Sequence, residues 1–478
     1  MKRYEALAQE YENSIRAGVL RSGDRLPSVR STSASRGLSP STVFQAYYLL
    51  EARGFIRARE RSGYFVNAWG RAHPPPLELE SQPSNDPIAV DICSRVFAIL
   101  ESTKSRDVIP FGSAFPSPLL FPLGRLGRAM SDSAKSFDPW STVDYLTPGS
   151  PELRRQIALR YLADGMQVHT DEIVITNGAL EALNLCLSAV TRPGDSVVVE
   201  CPTFYGALQA LELRGLKAVQ VPTCPKQGID LAELERTIHQ HKPAACWMMP
   251  NFQNPLGCLM PEAKKRSLVA LLTRLGTPLI EDDVYAELYF GDKRPLPAKA
   301  FDSAGIVLHC SSFSKCLAPG YRIGWAAPGR YVRRVVENKL ITTLSTSAPA
   351  QQGLAAYLEL GGYDKHLRKL RQTLSEHQTI FSQAVGHYFP PGTRATRPQG
   401  GYFLWVELPD GTDAMRVHDQ AMQRDISVAP GPIFSPTHAF RNCLRLNFGH
   451  AWNDRTERAL AALGKIVAAC AAEGLPAN

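Results

Sequence analysis

Residues 311–325 read Ser311-Ser312-Phe313-Ser314-Lys315-Cys316-Leu317-Ala318-Pro319-Gly320-Tyr321-Arg322-Ile323-Gly324-Trp325. A lysine flanked by hydroxyls, with a Pro-Gly turn and an arginine seven residues on, suits an imine-forming amine set beside a phosphate. Desolvation or cationic neighbours depress a lysine pKa and make its amine nucleophilic. Ser312, Ser314 and Arg322 supply donors for a phosphate dianion, the arginine as a charge-assisted fork. Taken alone, the string also fits a surface lysine in a turn, so the flanking chain has to decide.

Around this stretch, from about 170 to 330, short apolar segments alternate with longer amphipathic ones. The expected strands are Glu172–Thr176, Ser196–Glu200, Ala218–Val221, Ala245–Met249, Pro278–Glu281 and Ile306–Cys310. Such β/α alternation predicts a mostly parallel sheet covered by helices. Beyond about 335 a smaller α/β segment follows, with Gly401–Glu407 and Cys443–Phe448 as strands.

Ligands of open α/β sheets gather at strand ends, and four further segments stand there. Thr176-Asn177-Gly178-Ala179-Leu180-Glu181 leaves a strand for a helix, where small residues let backbone amides approach a phosphate. Glu281-Asp282-Asp283-Val284-Tyr285 ends another strand; it reads either as a capped helix start or as a carboxylate aimed at a ligand. Pro250-Asn251-Phe252-Gln253-Asn254-Pro255 offers Asn254 as a donor. Arg445, inside the apolar strand Leu444–Phe448, is costly to bury unless a carboxylate answers it, whether a substrate's or an internal partner's.

In this order the segments resemble the pyridoxal 5'-phosphate (PLP) aminotransferases of fold type I, over about 105–475. The resemblance implies that Lys315 is the lysine joined to the cofactor as an internal aldimine. Asp282 would then partner the pyridinium nitrogen, with Asn254 and Tyr285 on the ring hydroxyl. Gly178, Ala179, Leu180, Ser312, Ser314 and Arg322 match the phosphate cup, Phe204 the ring-stacking aromatic and Arg445 the α-carboxylate clamp. Tyr145 matches a tyrosine that reaches the phosphate of a second subunit, which implies a homodimer. The catalytic group would be Lys315, Asp282 and Tyr285. Two positions depart from the family: Phe204 replaces the usual Tyr or Trp, beside Tyr205, and Ala114 stands where a lid segment usually carries Gly.

The N-terminal end has another character. Residues 1–70 hold eleven Lys or Arg against six acids, leaving +5 of the chain's +8, so the remaining 408 residues carry +3. Such an excess points to a polyanion partner or to a solvated charged face. Apolar spacing predicts helices over 4–17, 29–36 and from Ser39-Pro40 to Arg53, then a hairpin of 55–59 and 63–66, which makes a winged helix-turn-helix. The strings Gly23-Asp24-Arg25-Leu26-Pro27-Ser28 and Leu38-Ser39-Pro40-Ser41-Thr42 resemble the GntR-type DNA-binding head. That implies a recognition helix at about 40–52 for double-stranded operator DNA. Arg30, Ser39, Ser41, Thr42, Arg59 and Arg61 are the expected contacts.

The expected division is a winged helix at 1–67, a Pro- and Ser-rich linker at 68–87, and an aminotransferase-like α/β body at 88–478. Within the body a large subdomain spans about 130–335, and a small one about 336–478 together with 88–129. The N-terminus, Met-Lys-Arg-Tyr-Glu, lacks the apolar core of a signal peptide, no apolar run reaches membrane-crossing length, and the ten cysteines show no metal-ligand spacing. A cytoplasmic protein without metal or membrane partner is the expectation.

A GntR-like head joined to an aminotransferase-like body resembles the MocR family of transcriptional regulators. The resemblance implies a regulator in which an amino compound or PLP reacts at Lys315 and changes operator binding. A working aminotransferase with a residual DNA-binding head is the alternative.

Overall fold

The computed structural model describes residues 2–21, 23–59, 62–66, 73–78, 80–102 and 105–473. Its head has three helices, Arg3–Arg16, Val29–Arg36 and Pro40–Ala52, followed by the antiparallel hairpin Ile56–Arg59/Gly63–Val66. The helix starts are those the sequence marks: Ser28 accepts from the Ser31 amide and Ser39 from the Thr42 amide, satisfying amides that a helix start leaves open. Leu7, Ala8, Leu26, Val43, Ala46, Tyr47, Leu50 and Ile56 close a separate small core. Tyr47 anchors it: its hydroxyl donates to the Pro27 carbonyl at 2.7 Å and lies 2.7 Å from the Thr32 hydroxyl.

The body is built on a nine-stranded sheet. Strands Lys217–Cys224, Ser196–Cys201, Ala245–Met248, Leu279–Asp282 and Val307–Ser312 lie side by side and parallel. Gly324–Ala327 then runs antiparallel between Val307–Ser312 and Val174–Thr176. That strand was not expected from the sequence, because Gly-Trp-Ala-Ala has little strand pattern of its own. Gly324 is needed there: a Cβ would lie 2.6 Å from the Gly178 carbonyl carbon and 2.8 Å from the Ala179 amide nitrogen. Its lack of a side chain lets the strand press against the start of helix Ala179–Val190.

An antiparallel four-stranded sheet (Arg394–Ala395, Phe403–Glu407, Cys443–Asn447, Ala429–Pro430) forms the smaller layer. The structure departs from the expected grouping of 88–129 with this layer in its first part, 88–102. Ile88–Ala89 pairs with Lys217–Ala218 at the edge of the large sheet, and Val90, Ile92, Val96 and Ile99 join that sheet's core. Apolar residues at helical spacing make helix Cys93–Ser102 a cover for the large sheet. Within 88–129 the chain turns toward the smaller subdomain at Ile109, which pairs with Ile426. Of the expected linker, residues 68–72 and 79 lie outside the described residues. Residues 73–78 are extended, as prolines require, and lie along the body: Leu77 is buried and its amide donates to the Ala395 carbonyl at 3.0 Å.

Candidate functional site

Every parallel strand that matters ends at the same edge of the sheet. Val174–Thr176 delivers Gly178, Ala179 and Leu180; Leu279–Asp282 delivers Asp282 and Tyr285; Val307–Ser312 delivers Ser312, Ser314 and Lys315. Together with Phe204, Asn254 and Arg322 these residues, Gly178 apart, line one cavity of about 480 Å³. Gly178 caps its helix at φ +86°, and a Cβ there would lie 2.6 Å from an Arg322 nitrogen, so arginine and helix start are packed as one unit.

Three of the lining residues carry a buried polar atom with no partner: Asp282 Oδ1, Asn254 Nδ2 and Ser314 Oγ. Buried polar groups are normally paired, so an acceptor, an amide donor and a hydroxyl left open around Lys315 describe a ligand with a matching donor and acceptors. The hydroxylated, ring-nitrogen-bearing phosphate ester PLP fits that set. When bound it supplies an aldehyde and an electron-withdrawing ring. Asp282 would hold its ring nitrogen, Asn254 and Tyr285 its hydroxyl, Ser314, Arg322 and the helix N-terminus its phosphate, and Phe204 its ring face.

The electrostatics suit an amine that must be neutral. Desolvation lowers the Lys315 pKa from 10.5 to about 7, with Asp282 opposing the fall and Arg445 and Arg322 adding to it. Burial lifts Asp282 to about 7, against the pull of Lys315. Burial also pushes the Tyr285 hydroxyl far up, so it stays a donor.

The neighbouring carboxylate is handled differently. Asp283 turns away from the cavity, taking a hydrogen bond from Asn251 Nδ2 at 2.7 Å and one from His309 Nε2 at 3.0 Å. Tyr161 hydroxyl follows at 2.7 Å from His309 Nδ1, and Trp325 Nε1 donates to that hydroxyl at 2.9 Å. Burial would raise Asp283, but His309, Arg294 and Asn251 hold it below the ordinary value. Both aspartates are buried, so the capped helix start in solvent is ruled out.

Arg445 and Tyr145 are not among the cavity-lining residues. Arg445 is fully buried behind the segment 112–115. It donates to the Gly112 carbonyl at 2.6 Å, to the Ser113 carbonyl at 3.3 Å and to Asn254 Oδ1 at 3.3 Å. Tyr145 donates to Glu152 Oε2 at 2.9 Å. The segment itself is strapped down by Lys315 and by two donors not expected from the sequence, Tyr402 and Asn447. Tyr402 hydroxyl and Lys315 Nζ each donate to the Ala114 carbonyl at 3.0 Å, and Asn447 Nδ2 donates to the Phe115 carbonyl at 2.7 Å. The Phe115 ring centroid lies 3.9 Å from Lys315 Nζ. Asn447 was legible in principle, since it stands two residues from Arg445 and so on the same face of one strand. Tyr205, Met249 and Gln209 also line the cavity.

On the head, Ser39 and Ser41 are exposed at the start of helix Pro40–Ala52, with the Ser39 hydroxyl 2.9 Å from that of Ser41 and 2.8 Å from that of Thr42. Arg30 is exposed on the preceding helix. Arg59 ends the first hairpin strand, but its side chain, like the whole of Arg61, lies outside the described residues. Among the described residues no cluster of His, Cys, Asp and Glu could hold a metal ion, and no helix is long and apolar enough to cross a membrane.

Comparison with known proteins places both halves. Residues 3–66 match the bacterial regulatory proteins of the gntR family, and residues 129–463 match aminotransferase class I and II. The whole chain is 47% identical to the HTH-type transcriptional regulator YdcR of Escherichia coli strain K12, over 98% of this chain and 99% of that one. The chain belongs to the GntR-headed, aminotransferase-bodied regulators of the MocR type. A second Escherichia coli K12 regulator, YjiR, is 37% identical over 98% of this MocR-type chain and 99% of its own. The body of this regulator superposes on the multiple substrate aminotransferase of Thermococcus profundus with a TM-score of 0.73 and 26% identity, covering 80% of this chain and 96% of that one. LysN, the α-aminoadipate aminotransferase of Thermus thermophilus, solved with N-(5'-phosphopyridoxyl)-L-leucine, matches at a TM-score of 0.71 and 28% identity, covering 80% and 99%. Proteins with this aminotransferase body use PLP as a family.

Proposed function

We propose that this DNA-binding regulator holds PLP at Lys315 and senses an amino acid, a related amine or PLP itself there, changing its operator affinity in response. The observation that carries the reading is the set of unpartnered atoms on Asp282, Asn254 and Ser314 converging on a lysine amine whose pKa burial brings down to about 7. Lys315 would supply the amine that meets the cofactor's aldehyde, and Asp282 would hold the ring nitrogen. A Lys315 side chain bound to the cofactor and one released from it would differ in charge and contacts in the cavity, the differential interaction a switch requires. Arg445 answers the effector's carboxylate once the Gly112 and Ser113 carbonyls give way. The head, 1–67, reads DNA through Arg30, Ser39, Ser41, Thr42, Arg59 and Arg61, and the body, 88–478, pairs with a second copy in the cytoplasm.

The neutral amine beside an intact donor set equally suits turnover, so a working aminotransferase with a residual head is the second reading. One pair of measurements separates them. Purified protein is given PLP and a panel of amino acids, then assayed for keto-acid release and for a gel shift on the DNA upstream of its own coding sequence. An effector-dependent shift without sustained keto-acid release supports the sensor. Sustained release at ordinary enzymatic rates with no specific shift overturns it.

A further inference from the structure

The long helix Gly362–Tyr388 touches the lysine site at one end and the DNA-reading head along the rest. Near its start, His366 Nε2 donates to the Cys316 carbonyl at 2.7 Å, and the Tyr363 hydroxyl lies 3.0 Å from Cys316 Sγ. The Tyr363 ring packs edge-on against Phe313, with centroids 5.9 Å apart. Phe313 and Cys316 bracket Ser314 and Lys315. Further along, Gln372 Nε2 donates to the Tyr48 hydroxyl at 2.5 Å, and that hydroxyl donates to Glu376 Oε1 at 2.7 Å. Gln383 packs against Gly54, where any Cβ would overlap its carboxamide. At the far end, the Tyr388 hydroxyl donates to Glu457 Oε1 at 3.0 Å, and Glu457 Oε2 takes Arg57 at 2.5 Å. At 1.5 Å rise per residue, about 15 Å of continuous helix separates the His366 contact from the Glu376 contact.

The head groups held in this way, Tyr48 and Arg57, stand on the same helix and hairpin as the expected DNA contacts Ser41 and Arg59. Ser41, Gln45 and Tyr48 stand at i, i+4 and i+7 on the exposed stripe of helix Pro40–Ala52, the side a recognition helix turns into the major groove. Arg57, on the hairpin, is a cation of the kind that meets backbone phosphate. The body offers each a carboxylate, Glu376 to Tyr48 and Glu457 to Arg57, where DNA would offer phosphate oxygens.

We propose that helix Gly362–Tyr388 couples the Lys315 cavity to the winged helix, and that its grip on Tyr48, with Glu457 on Arg57, holds the head in a docked state that excludes DNA. The coupling half rests on the reading of Lys315 as the cofactor lysine; the docking half does not. The docked and DNA-engaged states differ in which oxygens partner Tyr48 and Arg57. A rearrangement of 312–316 on cofactor loading reaches the helix through Tyr363 and His366.

The test uses the full chain carrying Glu376→Ala and Glu457→Ala together, body positions outside the cavity. Affinity is read by fluorescence anisotropy on a duplex from upstream of the chain's own coding sequence, with and without PLP, while absorbance near 400 nm reports loading. The expected result is DNA binding about tenfold tighter than in the PLP-free parent, no further response to PLP, and unchanged absorbance. Parental affinity, or weaker binding, overturns the docking. Hydrogen exchange in the unaltered protein supplies the second measurement, insensitive to any folding defect in the variant. PLP should change exchange in both 362–388 and 40–59, and unchanged exchange in either overturns the coupling. If no absorbance band forms at all while the variant still binds DNA more tightly, the cofactor reading fails and the docking stands.

Discussion

An ordinary lysine titrating at 10.5 is about one part in a thousand neutral at pH 7.5, whereas one titrating at about 7 is about three-quarters neutral. Lys315 should therefore condense with an aldehyde several hundred times faster at that pH than an exposed lysine of the same intrinsic reactivity. The measurement is the rate of absorbance rise near 400 nm when PLP is added to cofactor-free protein, followed across pH 5.5–10.5, with Lys315→Ala as the blank. A midpoint near 7 is expected. Asp282→Asn removes a charge that holds the amine up, so its midpoint should move lower; Arg322→Gln removes one that presses it down, so its midpoint should move higher. A midpoint near 10 in the unaltered protein, or opposite displacements in the two variants, refutes the electrostatic account. The same groups act on stability with opposite signs. Between about 7 and 10.5 the folded Lys315 binds fewer protons than the unfolded chain, so its contribution grows as pH rises. Between 3.8 and about 7 the folded Asp282 binds more, so its contribution shrinks as pH rises.

Gly324→Ala forces a Cβ onto the backbone of Gly178 and Ala179; it should cost about 1–3 kcal/mol in denaturant unfolding and weaken PLP loading through the displaced helix start. Tyr47→Phe leaves the Pro27 carbonyl without its buried donor; a loss of about 1–3 kcal/mol from the head's unfolding is expected, with body absorbance unaffected. Arg445→Lys replaces a fork by a point charge, so amino acids should lose at least about tenfold in spectral titrations, while amines lacking a carboxylate bind unchanged.

Much of this was readable from order alone. The head's helix starts are local chemistry, a Ser hydroxyl three residues before an amide, and local chemistry survives in sequence. The strand ends carrying Gly178, Asn254, Asp282 and Lys315 were readable because β/α alternation puts such turns on one sheet edge. The antiparallel strand Gly324–Ala327 and the placement of 88–102 were not, because each is stabilised by surfaces far away in the chain.

From the sequence alone a winged helix precedes an α/β body, and a lysine, a carboxylate and phosphate-type donors come to one sheet edge. Glu281-Asp282-Asp283 marks the boundary of that knowledge. Three acids in a row do not say which one turns inward. The fold decides it by giving Asp283 the partners Asn251 and His309 and leaving Asp282 Oδ1 open beside Lys315. Burial is costly for a carboxylate without a partner, so the tertiary structure alone separates the structural acid from the one that awaits a ligand. The contacts of Tyr48 and Arg57 with Glu376 and Glu457 belong to the same class, since they join residues 328 and 400 positions apart.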